Sequence, residues 1–454
     1  MDVAEAVSQP PPRAPTRAEA FRFWLKLGFI SFGGPAGQIA IMHRELVDER
    51  RWISERRFLH ALNYCMLLPG PEATQLATYL GWLLHRTRGG VVAGTLFVLP
   101  SLAILSTLAW IYLRWGHVPA IAGALSGVKP VVVAIVLHAA WRIGKRTLRH
   151  PLLWAIAVAA FVALEGFDVP FPAIVLGAAL AGVALARVEP RAFSGGIGHA
   201  SGDGAHAAAV IDDDTPTPLH ARWSARRFVA VVAVFVAIWG AAFGALVAAF
   251  GTNGTLAAMG WFFTKAALVT FGGAYAVLPY IVQHAVDQQG WLTASQMIDG
   301  LALGETTPGP LIMVVAFVGF VGAWTHAPFG PDALAAAGVA GASVATFFTF
   351  LPSFLFILAG GPLVESTHGR LGFTAPLTAI TAAVVGVVAS LAVFFGVHVF
   401  WPGGFAAAQP LDGLDAWSVA TFAVALVALF RAGVGMIPLV FAGAVAGLVR
   451  VFVA

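Results

Sequence analysis

The sequence has 454 residues, of which 59% are hydrophobic and 11% are charged, whereas ordinary soluble domains carry roughly 25% charged residues. A soluble protein of this length would need far more polar surface around its core, so the composition excludes that class and indicates a membrane protein. A single cysteine, Cys65, excludes an internal disulfide and a thiolate-bound cluster, and the formal charge of +4 reflects arginine-rich loops rather than a nucleic-acid-binding surface.

The predicted elements begin with a polar, proline-rich tail that lacks the apolar stretch of a cleaved signal and is expected in the cytoplasm. Two sets of six apolar segments follow, separated by a polar linker, which is expected to be flexible, and by one further apolar helix. That helix, 228–250, has 23 residues without an ionisable side chain, and about 20 apolar residues can cross a hydrocarbon core of roughly 30 Å. The predicted fold class is therefore an all-α, polytopic membrane protein with about 13 segments.

Hydropathy and composition assign the boundaries. The segments of the first set are about 20–42, 57–85, 90–113, 118–141, 151–165 and 170–187, and those of the second are about 260–285, 295–324, 335–361, 373–399, 415–431 and 434–453. The predicted units are a disordered tail 1–19, a first repeat 20–188, a linker 189–224, a linking transmembrane helix 225–251 and a second repeat 256–454.

The two sets are copies of one unit. A shift of 239 residues aligns some fifty-five positions without a gap and pairs about a dozen identical residues. The matches include Lys26 with Lys265, Phe32-Gly33-Gly34 with Phe271-Gly272-Gly273, Trp52 with Trp291, and Pro69-Gly70-Pro71 with Pro308-Gly309-Pro310. After a small insertion in the second copy, Leu99-Pro100-Ser101 matches Leu351-Pro352-Ser353. The chain is therefore a tandem duplication.

The single linking helix predicts that the second copy is inverted in the membrane. If each copy crosses six times and the N-terminus lies inside, three external loops contain no lysine or arginine, as the positive-inside rule requires; these loops are 251–259, 324–334 and 400–414. The same count places the arginine-rich residues 43–57 and Arg114 outside, against the rule. A re-entrant course of the broken segments 57–85 and 295–324 would change the count.

Each copy interrupts its helices at two matched places. Phe-Gly-Gly breaks the first segment because glycine's permissive φ allows a bend, and Pro-Gly-Pro breaks the second because proline cannot donate the helical hydrogen bond. A half-helix that starts inside the membrane points free N–H groups and positive partial charge at a cavity, which suits an anion. Matched broken helices in two repeats are typical of a binding site at the midplane, although a kink or packing notch is the alternative for any single break.

Polar and ionisable residues near the breaks complete the predicted site. Lys26 and Lys265 would supply fixed positive charge, although Lys26 could instead extend to the membrane interface. Glu72 and Glu305 are candidates for proton coupling, although Glu72 could simply cap a half-helix. The predicted substrate-binding residues are Lys26, Gly33, Gly34, Pro69, Gly70, Pro71, Gln75, Lys265, Gly272, Gly273, Thr307, Pro308, Gly309 and Pro310.

At these residues the sequence resembles the chromate ion transporter family in its long, two-domain form. The resemblance is carried by LGFISFGGPAGQIA at 27–40, MLLPGPEATQLATYLG at 66–81, VKPVVVAIV at 128–136, FGGAYAVLP at 271–279 and TTPGP at 306–310. It implies a secondary carrier in the bacterial inner membrane that exports chromate by using the proton or potential gradient, confers chromate resistance and has oppositely oriented halves. The second copy departs from the first by carrying Leu311 where the first has Glu72.

Other functions stay open on the sequence alone. Chromate and sulfate are both tetrahedral dianions, so charge cannot separate a chromate carrier from a carrier of sulfate or another oxyanion. An anion channel would need no coupling carboxylate. No P-loop, HExxH, GxSxG or paired CxxC motif indicates an enzyme, a cofactor or a metal centre. The expected partners are the oxyanion, protons and membrane lipid, without nucleic acid, and a homodimer is left open.

Overall fold

The structure, a computed structural model, describes residues 12–453 apart from 33, 194–207, 214, 217, 272, 368–373, 407–408 and 410. The described residues form helices joined by short connections, with one isolated β-bridge and no strand, so the predicted all-α class is confirmed. The helices are α1 (Arg17–Ile30), α2 (Gly34–His43), α3 (Glu55–Leu67), α4 (Glu72–Trp115), α5 (Pro119–Thr147), α6 (Pro151–Phe167), α7 (Phe171–Val188), α8 (Ala225–Phe250), α9 (Thr255–Val269), α10 (Ala274–Val282), α11 (Ala294–Thr306), α12 (Val314–His326), α13 (Leu334–Thr367), α14 (Thr374–Phe400), α15 (Ala416–Phe430) and α16 (Met436–Val453).

Several helices are long and apolar enough to cross a membrane. Within the described residues these are α4, α5, α7, α8, α13 and α14, and shorter apolar helices accompany them. None of the residues of α8 is buried against the rest of the chain, although its composition is almost wholly apolar. A helix that is apolar on all sides and unburied is stable only where lipid covers it. The predicted polytopic membrane protein is therefore confirmed.

The first two predicted segments are each split into two helices. Segment 20–42 forms α1 and α2, and segment 57–85 forms α3 and the first part of α4. Within α4, His85 and Arg86 leave the helical conformation, and Arg86 has a φ of 58°. The helix therefore changes direction at these residues and continues as a separate span.

Both split segments are re-entrant hairpins. The ring of Phe23, midway along α1, lies 5.4 Å from the ring of Trp52, which follows α2. His85, where the second hairpin ends, lies 3.0 Å from the carbonyl oxygen of Pro15, which precedes α1. Each hairpin thus begins and ends on the side of the molecule that holds the N-terminal residues. The arginines of 43–57 lie on this side and not on the opposite one, because neither hairpin reaches the other end of the molecule.

The described part of the linker packs on the same side, which we call the linker end. Ile211 forms a β-bridge with Ile53, and the imidazole of His220 lies 3.0 Å from the carbonyl oxygen of Trp82. Arg57 donates to the carbonyl oxygen of Thr215 at 2.8 Å. Residues 1–11 and 194–207, on which much of the predicted disorder falls, lie outside the described residues.

The second half starts at the opposite end of the molecule. Helix α8 has 26 residues, which span about 39 Å, and its last residue Phe250 packs 5.7 Å from the ring of Phe329, which follows α12. Phe262 and Trp291, the counterparts of Phe23 and Trp52, have ring centroids 5.9 Å apart. The hairpin of α9 and α10 therefore also returns to the end at which it begins.

The remaining helices of the two halves interleave. Helix α5 of the first half packs on α15 and α16 of the second, whereas α14 of the second half packs on α6 and α7 of the first. Glycines allow the closest approaches: a Cβ added at Gly386 would lie 1.9 Å from the carbonyl oxygen of Ala157, and one added at Gly127 would lie 2.1 Å from that of Gly443. Such small residues let membrane helices pack backbone against backbone.

Candidate functional site at the helix breaks

The Pro-Gly-Pro turn of each half is hydrogen-bonded to the broken first hairpin of the other half. The N–H of Gly70 donates to the carbonyl oxygen of Thr270 at 2.7 Å, and the N–H of Gly309 donates to that of Ser31 at 2.8 Å. The 239-residue shift relates Gly70 to Gly309 and Ser31 to Thr270, so the two bonds are equivalent. All four predicted breaks therefore meet in one region between the halves, around Gly70, Gly309, Ser31 and Thr270, which we call the crossing.

The turns need glycine at their centres. Gly70 has a φ of 124° and Gly309 has a φ of 107°, a region that residues with a Cβ rarely adopt. A Cβ at Gly70 would lie 2.6 Å from the Oγ of Ser353, and one at Gly309 would lie 2.8 Å from the Cβ of Ser101. These serines belong to the matched Leu-Pro-Ser sequences, so each half places its serine against the turn of the other.

Helix N-termini surround the region where the breaks meet. They are α2 from Gly34, α4 from Glu72, α10 from Ala274, and a 3₁₀ turn from Leu311 that leads into α12. The residues that precede the last three, Pro71, Gly273 and Pro310, give no side-chain cap. The inner N–H groups are thus left for a ligand that accepts hydrogen bonds.

Buried polar side chains line the same region. The amide of Gln38 donates to the carbonyl oxygens of Gly309 and Ser31, and the amide of Gln75 donates to the carbonyl oxygen of Pro69 at 2.7 Å. Several buried atoms have no partner among the described residues: Gln38 Oε1, Gln75 Oε1, Thr74 Oγ1 and Ser353 Oγ. Buried polar atoms are normally hydrogen-bonded, so these atoms indicate space for water or a polar ligand. The two hydroxyl groups can donate to an oxyanion.

The two carboxylates that were predicted for proton coupling lie beside the turns. Glu305 is 8% exposed, and the hydroxyl of Tyr275 donates to it. Glu72 is the first residue of α4 and, among the described residues, makes no hydrogen bond or ion pair. Thr307 is also buried, but its hydroxyl donates to the carbonyl oxygen of Leu303 at 2.6 Å and is therefore already engaged.

The two predicted lysines have other contacts. The ammonium of Lys26 lies 2.9 Å from a carboxylate oxygen of Glu45, and the Lys26 side chain is 55% exposed. Lys265 is half-buried, and its ammonium lies 5.8 Å from the ring centre of Trp261. The structure thus brings the Pro-Gly-Pro turns, Gly34, Gly273 and Gln75 together but gives the lysines partners of their own. Gly33 and Gly272 lie outside the described residues.

Sequence reasoning missed several residues at this crossing. Ser31 and Thr270 contribute backbone carbonyl oxygens, which any residue could supply, so their role leaves no signal beyond their equivalence under the shift. Gln38 has no counterpart, since the shift places Val277 there. Ser101 and Ser353 could have been found, because they end the matched Leu-Pro-Ser sequences.

The profile of the chromate transporter family matches residues 18–183 and 257–448, one stretch in each copy of the repeat. The chain belongs to the chromate transporter family. This family member is 33% identical to a chromate transport protein of Pseudomonas aeruginosa over 385 residues, which cover 84% of the chain and 80% of that relative. It is 29% identical to a chromate transport protein of Cupriavidus metallidurans, with 82% and 81% covered. A probable chromate transport protein of Synechococcus elongatus is 27% identical, with 83% of each chain covered.

Membership fixes the broad class of the protein. The relatives are named as transport proteins, so the chain is a transporter family member rather than an enzyme. Together with its apolar helices, membership makes it a multi-pass protein of a bacterial membrane. No solved structure matches this chain.

Proposed function

We propose that this chromate transporter family member is a secondary carrier that exports chromate from the cytoplasm and confers chromate resistance. The oxyanion would bind where the four breaks meet, against the uncapped N-termini of α4 and α10 and the N-terminal turn that leads into α12. The observation that carries this proposal is the reciprocal pair of hydrogen bonds from Gly70 and Gly309, because it gathers several positive helix ends around one point. The names of the relatives suggest chromate as the oxyanion.

The two halves would act as an inverted repeat that exposes the site alternately to each side. Their hairpins start at opposite ends, and a cavity lies at each end of the α5–α11 pair. One cavity, of about 400 Å³, lies beside Phe32 and Glu305. The other, of about 320 Å³, lies beside Lys129 and Asp299, close to the start of α11. Movement of one half against the other would open one cavity to the crossing while the other closes.

Proton coupling would depend on Glu72 and Glu305, because carboxylates buried beside a substrate site can take up and release protons during transport. The halves would contribute unequally: the shift places Leu311 opposite Glu72 and Met66 opposite Glu305. Lys26 and Lys265 would supply positive charge, and for Lys26 this role requires its ammonium to leave Glu45 in another state of the cycle.

The proposal is tested by chromate survival of a sensitive bacterium and by chromate uptake into inside-out vesicles. We expect the wild type to raise survival, to accumulate chromate in the vesicles, and to accumulate more when a proton gradient is imposed. Sulfate in excess should compete weakly. Faster uptake of sulfate than of chromate would identify a sulfate carrier instead. Uptake that runs only down the electrochemical gradient of chromate and needs no proton gradient would identify a channel.

A further inference from the structure

The larger cavity leads from the linker end of the molecule to the crossing. It has a volume of about 400 Å³, and its inner residues are Phe32, which follows Ser31, and Glu305, which stands shortly before the second Pro-Gly-Pro turn. Its outer residues belong to the connection of α15 and α16, where Gly435 and Ile437 are exposed. The cavity thus connects the outside of the protein with the predicted binding region.

The position of α5 identifies the end at which this cavity opens. Leu148, just after α5, packs in one apolar cluster with Ala192 and Phe193 at the start of the linker. The same helix end carries Arg142, Lys145 and Arg146, and such a concentration of positive charge is typical of the cytoplasmic side. The cavity therefore faces the cytoplasm.

Arg142 is the cation of this cavity. It lies on α5, it lines the cavity, and among the described residues it makes no hydrogen bond or ion pair. Arg142 interacts electrostatically with three titratable groups: His138 on the preceding turn of α5, Glu305 of α11 and Tyr275 of α10. The Nδ1 atom of His138 is buried and likewise has no partner. The guanidinium has free donors, and in the tautomer that carries a proton on Nδ1 the imidazole offers one more donor to an oxyanion.

The geometry points to Arg142 and His138 as a cytoplasm-facing binding site for a tetrahedral oxyanion. The substrate would bind at this site before it reaches the crossing. A guanidinium presents several N–H donors in one plane and binds two oxygens of an oxyanion at once. Lysine at this position would attract the anion but would not fix its orientation. The assignment of chromate as the oxyanion rests on the proposed function.

Kinetics in inside-out vesicles, whose outer surface is the cytoplasmic one, test this site. We expect Arg142→Gln to raise the KM for chromate by about tenfold, since a hydrogen-bonded charge is lost, and Arg142→Lys to raise it less. Arg146→Gln is the matched control, because Arg146 is an exposed arginine one turn further along α5 and does not line the cavity. It removes the same charge from the cytoplasmic side and should leave the KM unchanged.

A wild-type KM in Arg142→Gln would overturn the site while leaving the proposed function in place, provided that the wild type carries chromate. Equal increases in Arg142→Gln and Arg146→Gln would also overturn it, since the arginines would then act only through overall charge. Binding of radiolabelled chromate to the purified, full-length protein gives a second readout that does not need transport: affinity should fall in Arg142→Gln and not in Arg146→Gln. A wild type that neither binds nor transports chromate would contradict both proposals.

Discussion

Gly309 and Ser101 come from different halves of the chain, yet a single added carbon on the glycine would lie 2.8 Å from the serine Cβ. Gly70 and Ser353 repeat the arrangement, with 2.6 Å from the added carbon to the serine Oγ. Each turn is therefore fixed in two ways, by a backbone conformation that favours glycine and by a side chain that the other half places against it.

We therefore expect Gly70→Ala and Gly309→Ala each to destabilise the protein by about 1–3 kcal/mol and to abolish most chromate transport. Thermal unfolding of the purified variants and uptake into vesicles measure the two effects. Gly177→Ala is the control, because a Cβ at Gly177 meets no atom within 4 Å. If Gly70→Ala kept the melting temperature and transport of the wild type, neither stability nor transport would depend on the glycine conformation of this turn.

The ion pair of Arg57 and Glu365 joins the two halves at the linker end, with 2.7 Å between Nη1 and Oε2 and a Glu365 side chain only 2% exposed. Tyr79 also donates to Glu365. Removal of one partner leaves a buried charge unpaired, which costs up to about 3–5 kcal/mol. Arg57→Met should therefore lower the melting temperature strongly, and adding Glu365→Gln should recover part of the loss.

Arg56→Gln provides the comparison for this pair, since Arg56 is the exposed neighbour of Arg57. It should unfold at the wild-type temperature. A double variant that is no more stable than Arg57→Met would show that Glu365 does not depend on Arg57.

Glu305→Gln should remove the response of transport to a proton gradient, because a glutamine side chain carries no titratable proton. Chromate uptake into vesicles with and without an imposed gradient measures this response, and we expect the variant to show the same rate in both. If both carboxylates take part in proton coupling, Glu72→Gln should also reduce the response to the proton gradient. Glu49→Gln is the control, since the Glu49 side chain is 55% exposed and lies away from the turns. A full response in both Glu305→Gln and Glu72→Gln would place the coupling elsewhere.

Lys26→Met distinguishes a substrate ligand from a partner of Glu45. If Lys26 binds the oxyanion during transport, we expect the KM for chromate to rise by about tenfold. Glu45→Gln should then keep a KM close to that of the wild type, because it removes the ion pairs of Glu45 with Lys26 and Arg50 without removing either cation. If the two substitutions raised the KM equally, Lys26 would act only as the partner of Glu45 that stabilises the hairpin of α1 and α2, and not as a substrate ligand.

Hydropathy and internal identity predicted the all-α class, the two copies and the positions of the breaks. They could not predict the re-entrant course, because a run of apolar residues such as 57–85 has the same composition whether the chain crosses or turns back at its break. The re-entrant course is seen only in tertiary contacts, which are those of Trp52 with Phe23 and of His85 with Pro15. The arginines of 43–57 lie where a hairpin places them, at the end of the molecule that holds the N-terminal residues.

The candidate site was predictable where it depends on special residues and not where it depends on the backbone. Gly70 and Gly309 were found because glycine between prolines is rare, whereas the carbonyl groups that they contact carry no signature. The predicted apolar segment 118–141 ends one residue before Arg142, whereas α5 continues to Thr147 and holds Arg142 beside the cavity. A helix end is set by its cap and packing, which hydropathy does not report.

The interleaving of α5 with α15 and α16, and of α14 with α6 and α7, has a consequence for the ancestry of the chain. A single unit could not have buried these surfaces by itself, because the helices that cover them come from its twin. Two copies of the unit would therefore have had to associate before the linker and α8 joined them in one chain. Severing the present chain within the linker should accordingly yield two fragments that assemble only when they are synthesised in the same cell.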